Sequence, residues 1–390
     1  MERKIKFGDI RIGQIARNHI KEALDNHWPS GGQKVKKFED EFAELFNVNH
    51  AVAVSSGTDA VLCACMALYE FGAKPGDYVI VPALSFIATS NAVRAAGFTP
   101  LFVDINRFTL NIDPELVYEK IRNFEEGVEN GKNIVGIIAV TTMGKPVDGV
   151  RLRQIADEFE ISLIIDNAEG HGCMYDLEYM ERYADMVTYS FYAAHMICSG
   201  EGGAITTNYE NLKDILMSVR SHGRRNGQLY FDHCRFGLNS KMNDLEASIG
   251  LEGIEMFRDT FDARIAILDI LMTLCGERLN NYVYCNSSVG LEDIAPHAFS
   301  MTIKQPEVYD RNDFYTYLMK AGIDTKINFG CIPTQHSTFS YLGYKLGDFP
   351  EAEYAGANGL HVGCHQYMSF DDCKYIIKTA EDFFTGDYKI

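Results

Sequence analysis

Ile134-Val135-Gly136-Ile137-Ile138-Ala139-Val140 runs through seven positions with no charged side chain and no alternation of apolar with polar residues. A strand with one face in water alternates, whereas a strand apolar throughout is covered on both faces, the habit of a mostly parallel sheet between layers of helices. Outward from this run the same rhythm recurs. Ala51–Val54, Tyr78–Val81, Thr99–Val103, Leu163–Ile165, Met186–Tyr189 and Ala204–Thr206 read as strands, and Ala60–Tyr69 and Pro114–Phe124 between them have helical periodicity. The fold class is therefore α/β. Beyond Met242 the pattern changes: one long helix is expected from Asp244 to about Leu274, then a strand over Ala298–Ile303 and a helix over Asp313–Ala321. A loop-rich stretch follows, with Gly330, Pro333, Gly343, Gly347 and Pro350, and a last helix over Asp371–Phe384. These shifts predict a large domain over 1–249 and a smaller C-terminal α/β domain over 250–390.

The composition bounds the function. With 390 residues, 46% apolar and 23% charged, the chain has the material for a large globular unit or two linked lobes. Its net charge of −18 argues against nucleic acid and against an anionic membrane face, so any anionic ligand must be held locally. The start, Met1-Glu2-Arg3-Lys4-Ile5-Lys6, leads into mixed polar sequence, and no stretch approaches the roughly 18 apolar residues of a membrane span. A soluble, cytoplasmic protein is expected. The ten cysteines contain no C-x-x-C pair, and Cys63 and Cys65 would point to different faces of a helix. Reduced, buried thiols and no metal are the expectation.

Three loops, each after a predicted strand, sit where open α/β sheets place their ligands. In Ser55-Ser56-Gly57-Thr58-Asp59, a glycine between hydroxyls at the start of a helix makes either a phosphate cradle or an ordinary helix cap. Asp166-Asn167-Ala168-Glu169-Gly170-His171 ends a buried strand on a carboxylate, which either caps the next turn or meets a cation such as a protonated heterocycle nitrogen. The third, from Thr188 to Ala204, presents Ser190 and His195 before the turn Gly200-Glu201-Gly202-Gly203.

Together the loops resemble the sugar aminotransferase family typified by the DegT, DnrJ, EryC and StrS proteins. The resemblance runs over nearly the whole chain and includes Trp28-Pro29-Ser30-Gly31-Gly32, Ser56-Gly57-Thr58-Asp59-Ala60, the run Pro82 to Thr89, Asp166-Asn167-Ala168-Glu169, Ser190-Phe191-Tyr192, Gly200-Glu201-Gly202-Gly203 and Gly237-Leu238-Asn239-Ser240-Lys241-Met242-Asn243. It implies the aspartate-aminotransferase-like fold (fold type I) and pyridoxal 5′-phosphate (PLP) or pyridoxamine 5′-phosphate (PMP) as cofactor. In that family picture Asp166 keeps the pyridine nitrogen protonated and Phe86 stacks on the ring. Glu169 approaches the phenolic oxygen, while Gly57, Thr58 and Ser190 hold the phosphate. Asn239 reaches the cofactor of a neighbouring subunit, which implies a homodimer.

The departure is His195, which stands where the aminotransferases carry the Schiff-base lysine. Imidazole cannot form that imine. Tyr192-Ala193-Ala194-His195-Met196-Ile197 resembles instead the branch of 3-dehydratases acting on nucleotide-linked 4-keto-6-deoxyhexoses. That resemblance implies His195 as general base on a non-covalently held cofactor, loss of the 3-hydroxyl, and an amino donor such as glutamate to restore the amine. The CDP-sugar members carry an added cysteine cluster; the stretch 220–235 has one cysteine, so no iron–sulfur centre is expected and the GDP-sugar type is the nearer likeness. The base of the nucleotide stays open. Arg220, Arg224, Arg225 and Arg235 read either as diphosphate ligands or as a solvated surface. A second departure is Met143, ahead of Gly144, where the family commonly has histidine. His336, His361 and His365 form either a substrate-side cluster or separately hydrogen-bonded histidines. The competing readings are a sugar-nucleotide aminotransferase, in natural or engineered Lys-to-His form, and a non-catalytic regulator binding cofactor or sugar.

Overall fold

The computed structural model describes residues 4–126, 131–225, 232–285 and 290–386. Residues 226–231, part of the basic stretch, lie outside them. Among the described residues up to 207, nine strands form: β1 (His50–Val54), β2 (Tyr78–Pro82), β3 (Thr99–Val103), β4 (Ile134–Val140), β5 (Ser162–Asp166), β6 (Met174–Tyr175), β7 (Glu178–Tyr179), β8 (Met186–Ser190) and β9 (Gly203–Thr207). Seven of them make one sheet in the order β1-β9-β8-β5-β4-β2-β3. Only β9 runs against its neighbours, because it returns directly from β8. The expected mostly parallel α/β sheet is present.

Strand β4 shows why the apolar run decides the architecture. Ile134, Ile137 and Ala139 pack into the core on one face with Leu152, Phe42 and Tyr189. Val135 and Ile138 pack into the core on the other face with Leu68, Val81 and Phe102. A charge at any of these positions would be stranded in one core or the other.

A second, four-stranded antiparallel sheet has the order β10-β12-β14-β13. Its strands are β10 (Val283–Cys285), β12 (Ala298–Ile303), β13 (Thr325–Ile327) and β14 (Gly359–Gly363), while β11 (Glu292–Asp293) joins β6 and β7 in a small third sheet. The helices Arg311–Lys320 and Phe370–Thr385 and the end of Phe257–Arg278 close its core, which the N-terminal Ile5 also enters. Residues Cys331, Ile332, Phe339, Phe349 and Ala352 pack back against Val81 and Phe102 of the large sheet.

The expectation of one helix from Asp244 to about Leu274 is corrected. Two helices occur, Asp244–Glu255 and Phe257–Arg278, separated at Met256 (φ −91°, ψ 5°). The bend brings Phe257 edge-on to Phe46 at 5.5 Å, inside the first core. Met256 is neither glycine nor proline, and the nearby Gly250 and Gly253 lie inside the first helix rather than at the break. No described helix is long and apolar enough to cross a membrane.

Candidate active site

The carboxyl ends of β2, β4, β5 and β8 and the turn after β1 converge at one end of the large sheet, and the three loops meet there. Asp166 is the last residue of β5 and is 6% exposed. Thr89 Oγ1 donates to its Oδ2 at 2.7 Å and the Ala168 N–H to its Oδ1 at 3.3 Å. Among the described residues it forms no ion pair with a cation, and burial raises its pKa above the ordinary carboxylate value. A buried carboxylate with only neutral donors is unfavourable unless a cation is brought to it.

Ser56 caps the helix Gly57–Ala67 by accepting the Asp59 N–H at 3.0 Å, so the first-turn N–H groups of Gly57 and Thr58 have no partner within the helix. A Cβ on Gly57 would lie 2.5 Å from Ser190 Cβ and 2.9 Å from its Oγ. Only glycine lets the helix start approach the end of β8 this closely. Phe86, after β2, is 59% exposed and meets Phe329 edge-on at 5.8 Å.

Glu169 accepts the Met143 N–H at 2.6 Å on Oε2, and its Oε1 lies 3.5 Å from His297 Nε2. Burial pushes its carboxyl up to about 7. Met143 has φ 58° and offers its backbone, so the departure from histidine there leaves this bond in place. The His297 ring lies 5.1 Å from that of His195, and His171 lies 5.8 Å away on another side. Nδ1 of His195, Nδ1 of His297 and Nε2 of His171 are buried without hydrogen-bond partners. Burial, then the nearby Arg264 guanidinium, lowers His195 to about 3, so it is a neutral imidazole at neutral pH.

The buried histidines set a pH dependence. Burial lowers His361 to about 3 as well, and holds His171 and His297 well below 6.5. The unfolded chain takes up their protons below about 6.5, so their contribution is present above that pH and is lost as pH falls toward 3. Glu169 and Glu181, both raised to about 7, act oppositely: they stabilise at low pH and lose that contribution as pH rises through 7. Asp166, also raised by burial, acts in the same direction as the two glutamates, so four histidines face three carboxyls between pH 6 and 5. The cofactor-free protein is expected to lose on the order of 1 kcal/mol per pH unit there, read from urea midpoints; stability rising as the pH falls would contradict the buried neutral cluster.

The basic stretch is differently placed. Arg220 Nη1 donates to Glu39 Oε1 and to the Ala53 carbonyl, Arg225 pairs with Asp232 at 2.9 Å, and Arg235 with Glu70 at 3.0 Å. Arg224 pairs through its backbone with His233. Three of the four arginines thus already meet carboxylates of their own chain. Asn239 is exposed beside the first loop, where the Ser55 N–H donates to Ser240 O, and its Oδ1 accepts from Lys241 Nζ at 2.5 Å. His336, His361 and His365 do not come together: His361 bonds Asn328 at 3.0 Å, His336 is exposed at Gly330, and His365 adjoins Tyr367.

The structure therefore gathers Gly57, Thr58, Asp166, Glu169, Ser190 and His195 at one strand end, with Phe86 at its mouth. Reading the sequence missed His297, Arg264 and the bond from Thr89. No local signal marks His297 or Arg264; Thr89 closes the Pro82–Thr89 motif and was legible as part of it.

The sequence profile of the DegT/DnrJ/EryC1/StrS aminotransferase family matches residues 11–381. The chain is similar to GDP-perosamine synthase of Escherichia coli O157:H7, 28% identical over 370 residues, 95% of each chain. It is similar to GDP-4-keto-6-deoxy-D-mannose 3-dehydratase of Yersinia pseudotuberculosis, 29% identical over 371 residues, 90% of this chain and 91% of that one. Among solved structures, GDP-4-keto-6-deoxy-D-mannose-3-dehydratase of E. coli with bound hydrated PLP matches with a TM-score of 0.84 at 26% identity, covering 96% of this chain and 98% of that one.

Proposed function

Because the chain belongs to the DegT/DnrJ/EryC1/StrS aminotransferase family, we propose that it is the 3-dehydratase form of this sugar-nucleotide enzyme, removing the C3 hydroxyl of a nucleotide-linked 4-keto-6-deoxyhexose. Its cofactor is PLP, with PMP as the amine form. The observation that carries the reading is His195: a neutral imidazole at the strand end where an aminotransferase needs an amine. Two lysines of the described residues near these loops are engaged elsewhere. Lys145 is buried against Glu292 at 3.1 Å and Lys241 donates to Asn239.

The residues fit the cofactor. Asp166 is a buried carboxylate lacking a cation, which a protonated ring nitrogen supplies, and the missing Cβ at Gly57 lets Ser190 close against the helix start, which sets its hydroxyl beside two first-turn N–H groups. When bound, the cofactor supplies an electron-accepting ring and an amine that exchanges with a carbonyl. Asp166 would hold the ring-nitrogen proton, Phe86 would cover a ring face, and Glu169 would stand toward the phenolic oxygen. His195, with Nδ1 unengaged, accepts a proton as general base. Glutamate is the proposed donor that restores the amine, and Asn239 the residue that completes the site of a second subunit in a homodimer.

Relatives divide between GDP-perosamine synthases and 3-dehydratases, so the competing reading is amino transfer. Incubation with PMP, glutamate and a panel of GDP- and CDP-linked 4-keto-6-deoxyhexoses, followed by mass spectrometry, separates them. Dehydration gives a sugar lighter by one oxygen. An amino sugar that keeps its 3-hydroxyl would overturn the proposal. A regulator would leave the whole panel unchanged; retention of the buried, costly Asp166 and Glu169 favours catalysis.

A further inference from the structure

Arg264, in the helix Phe257–Arg278, is 3% exposed, and every group it is seen to bond is neutral. Nε donates to Gln366 Oε1 at 3.0 Å, Nη1 to the carbonyls of Ala194 at 3.2 Å and Pro296 at 3.4 Å, and Nη2 to the carbonyl of His195 at 3.1 Å. Among the described residues no carboxylate forms an ion pair with it. Cys198, Cys364 and Tyr367 are the titratable groups that face it besides histidines. A buried guanidinium without a counter-ion is expensive, and an apolar side chain would have filled the same volume at less cost.

Its bonds show what the charge does. They join three segments remote in sequence: the His195 loop, the residue before His297, and Gln366 after β14. The imidazoles of His195, His171, His297 and His365 all feel its field. Around His195 itself stand His171, His297 and Tyr192, and the carboxylate of Glu169 reaches that group only through His297. We propose that Arg264 is a positioning residue for His195: its fork, bonded to the carbonyls of Ala194, His195 and Pro296 and to Gln366, fixes the loop that carries the imidazole and sets a guanidinium with no counter-ion beside it. That charge keeps a proton off the ring. This rests on the reading of His195 as a base, since a base must be unprotonated to act. A carboxylate at the same place would do the opposite, stabilising the imidazolium.

The test reads the His195 ring directly. Histidine-resolved NMR titration of the cofactor-free protein, with His195→Asn to assign the resonance, is expected to show a neutral ring in the wild type down to pH 5. In Arg264→Gln the ring should take up its proton about one pH unit higher, and so show partial protonation at pH 5, where the wild-type ring shows none. Arg264→Lys retains the charge and should keep the ring neutral, while losing the fork and therefore thermal stability. Gln366→Glu is a second route that leaves Arg264 in place: it preserves the bond to Nε but adds a counter-charge, and it too should raise the His195 midpoint. If Arg264→Gln does not fold, Gln366→Glu decides. An unmoved midpoint in a folded Arg264→Gln or Gln366→Glu protein would overturn the inference. Because this readout uses no substrate, it stands apart from the reaction. A shifted midpoint with an unshifted acid limb of kcat/KM would support the role of Arg264 and remove His195 from the role of base.

Discussion

His195→Lys is expected to turn a protein that releases its cofactor into one that holds it covalently. After incubation with PLP and reduction with borohydride, the variant should retain the cofactor through denaturation, and the wild type should not. A primary amine attacks a carbonyl carbon to give a reducible bond, and imidazole does not. Dehydration should fall by about 10²–10⁴-fold, the usual scale for removing a positioned acid–base group, while amino transfer to the same sugar appears or rises. The new ammonium enters a site where Arg264 already opposes positive charge, so the amine is held neutral and nucleophilic. Absence of a covalent product would mean that the side chain at 195 does not face the cofactor.

Asp166→Asn should show opposite effects in the two states of the protein. Without cofactor, the substitution replaces a buried carboxylate that has only the Thr89 hydroxyl and the Ala168 N–H as partners by a neutral amide, and stability should rise by about 1–3 kcal/mol. With cofactor, the ring nitrogen loses its charge partner, and kcat/KM should fall on the order of 10³-fold, equivalent to about 4 kcal/mol. Glu169→Gln keeps an oxygen for the Met143 N–H and should cost about tenfold. Urea melts of the cofactor-free proteins and steady-state kinetics of the loaded ones measure both. Equal losses in the two variants would contradict the separate roles given to these carboxyls.

Much of this site was legible because its parts are local. The apolar run at 134–140 reveals a strand covered on both faces, and the end of such a strand is where Asp166 had to find a partner. The three loops could be read one at a time, each from a glycine, a hydroxyl or a carboxylate adjoining a strand. What could not be read depends on distant pairings. The sequence over 220–235 shows four arginines, but Arg220 meets Glu39 and Arg235 meets Glu70, partners brought in by the fold from the first part of the chain. His297 and Arg264 belong to the second half of the chain and reach His195 only after the helix breaks at Met256, a bend that an uninterrupted helical pattern hides.

The central claim is that the neutral imidazole of His195 directs the chemistry to C3 of the sugar. The most direct measurement follows the oxygen at that carbon. A GDP-linked 4-keto-6-deoxyhexose bearing heavy oxygen at C3 is incubated with the PMP-loaded protein for a single turnover without glutamate, and sugar and water are analysed by mass spectrometry. The labelled oxygen is expected to leave the sugar in the wild type, His195→Asn is expected to abolish its departure, and no nitrogen should enter the product. A product that keeps the label at C3 and carries nitrogen at C4 would contradict it.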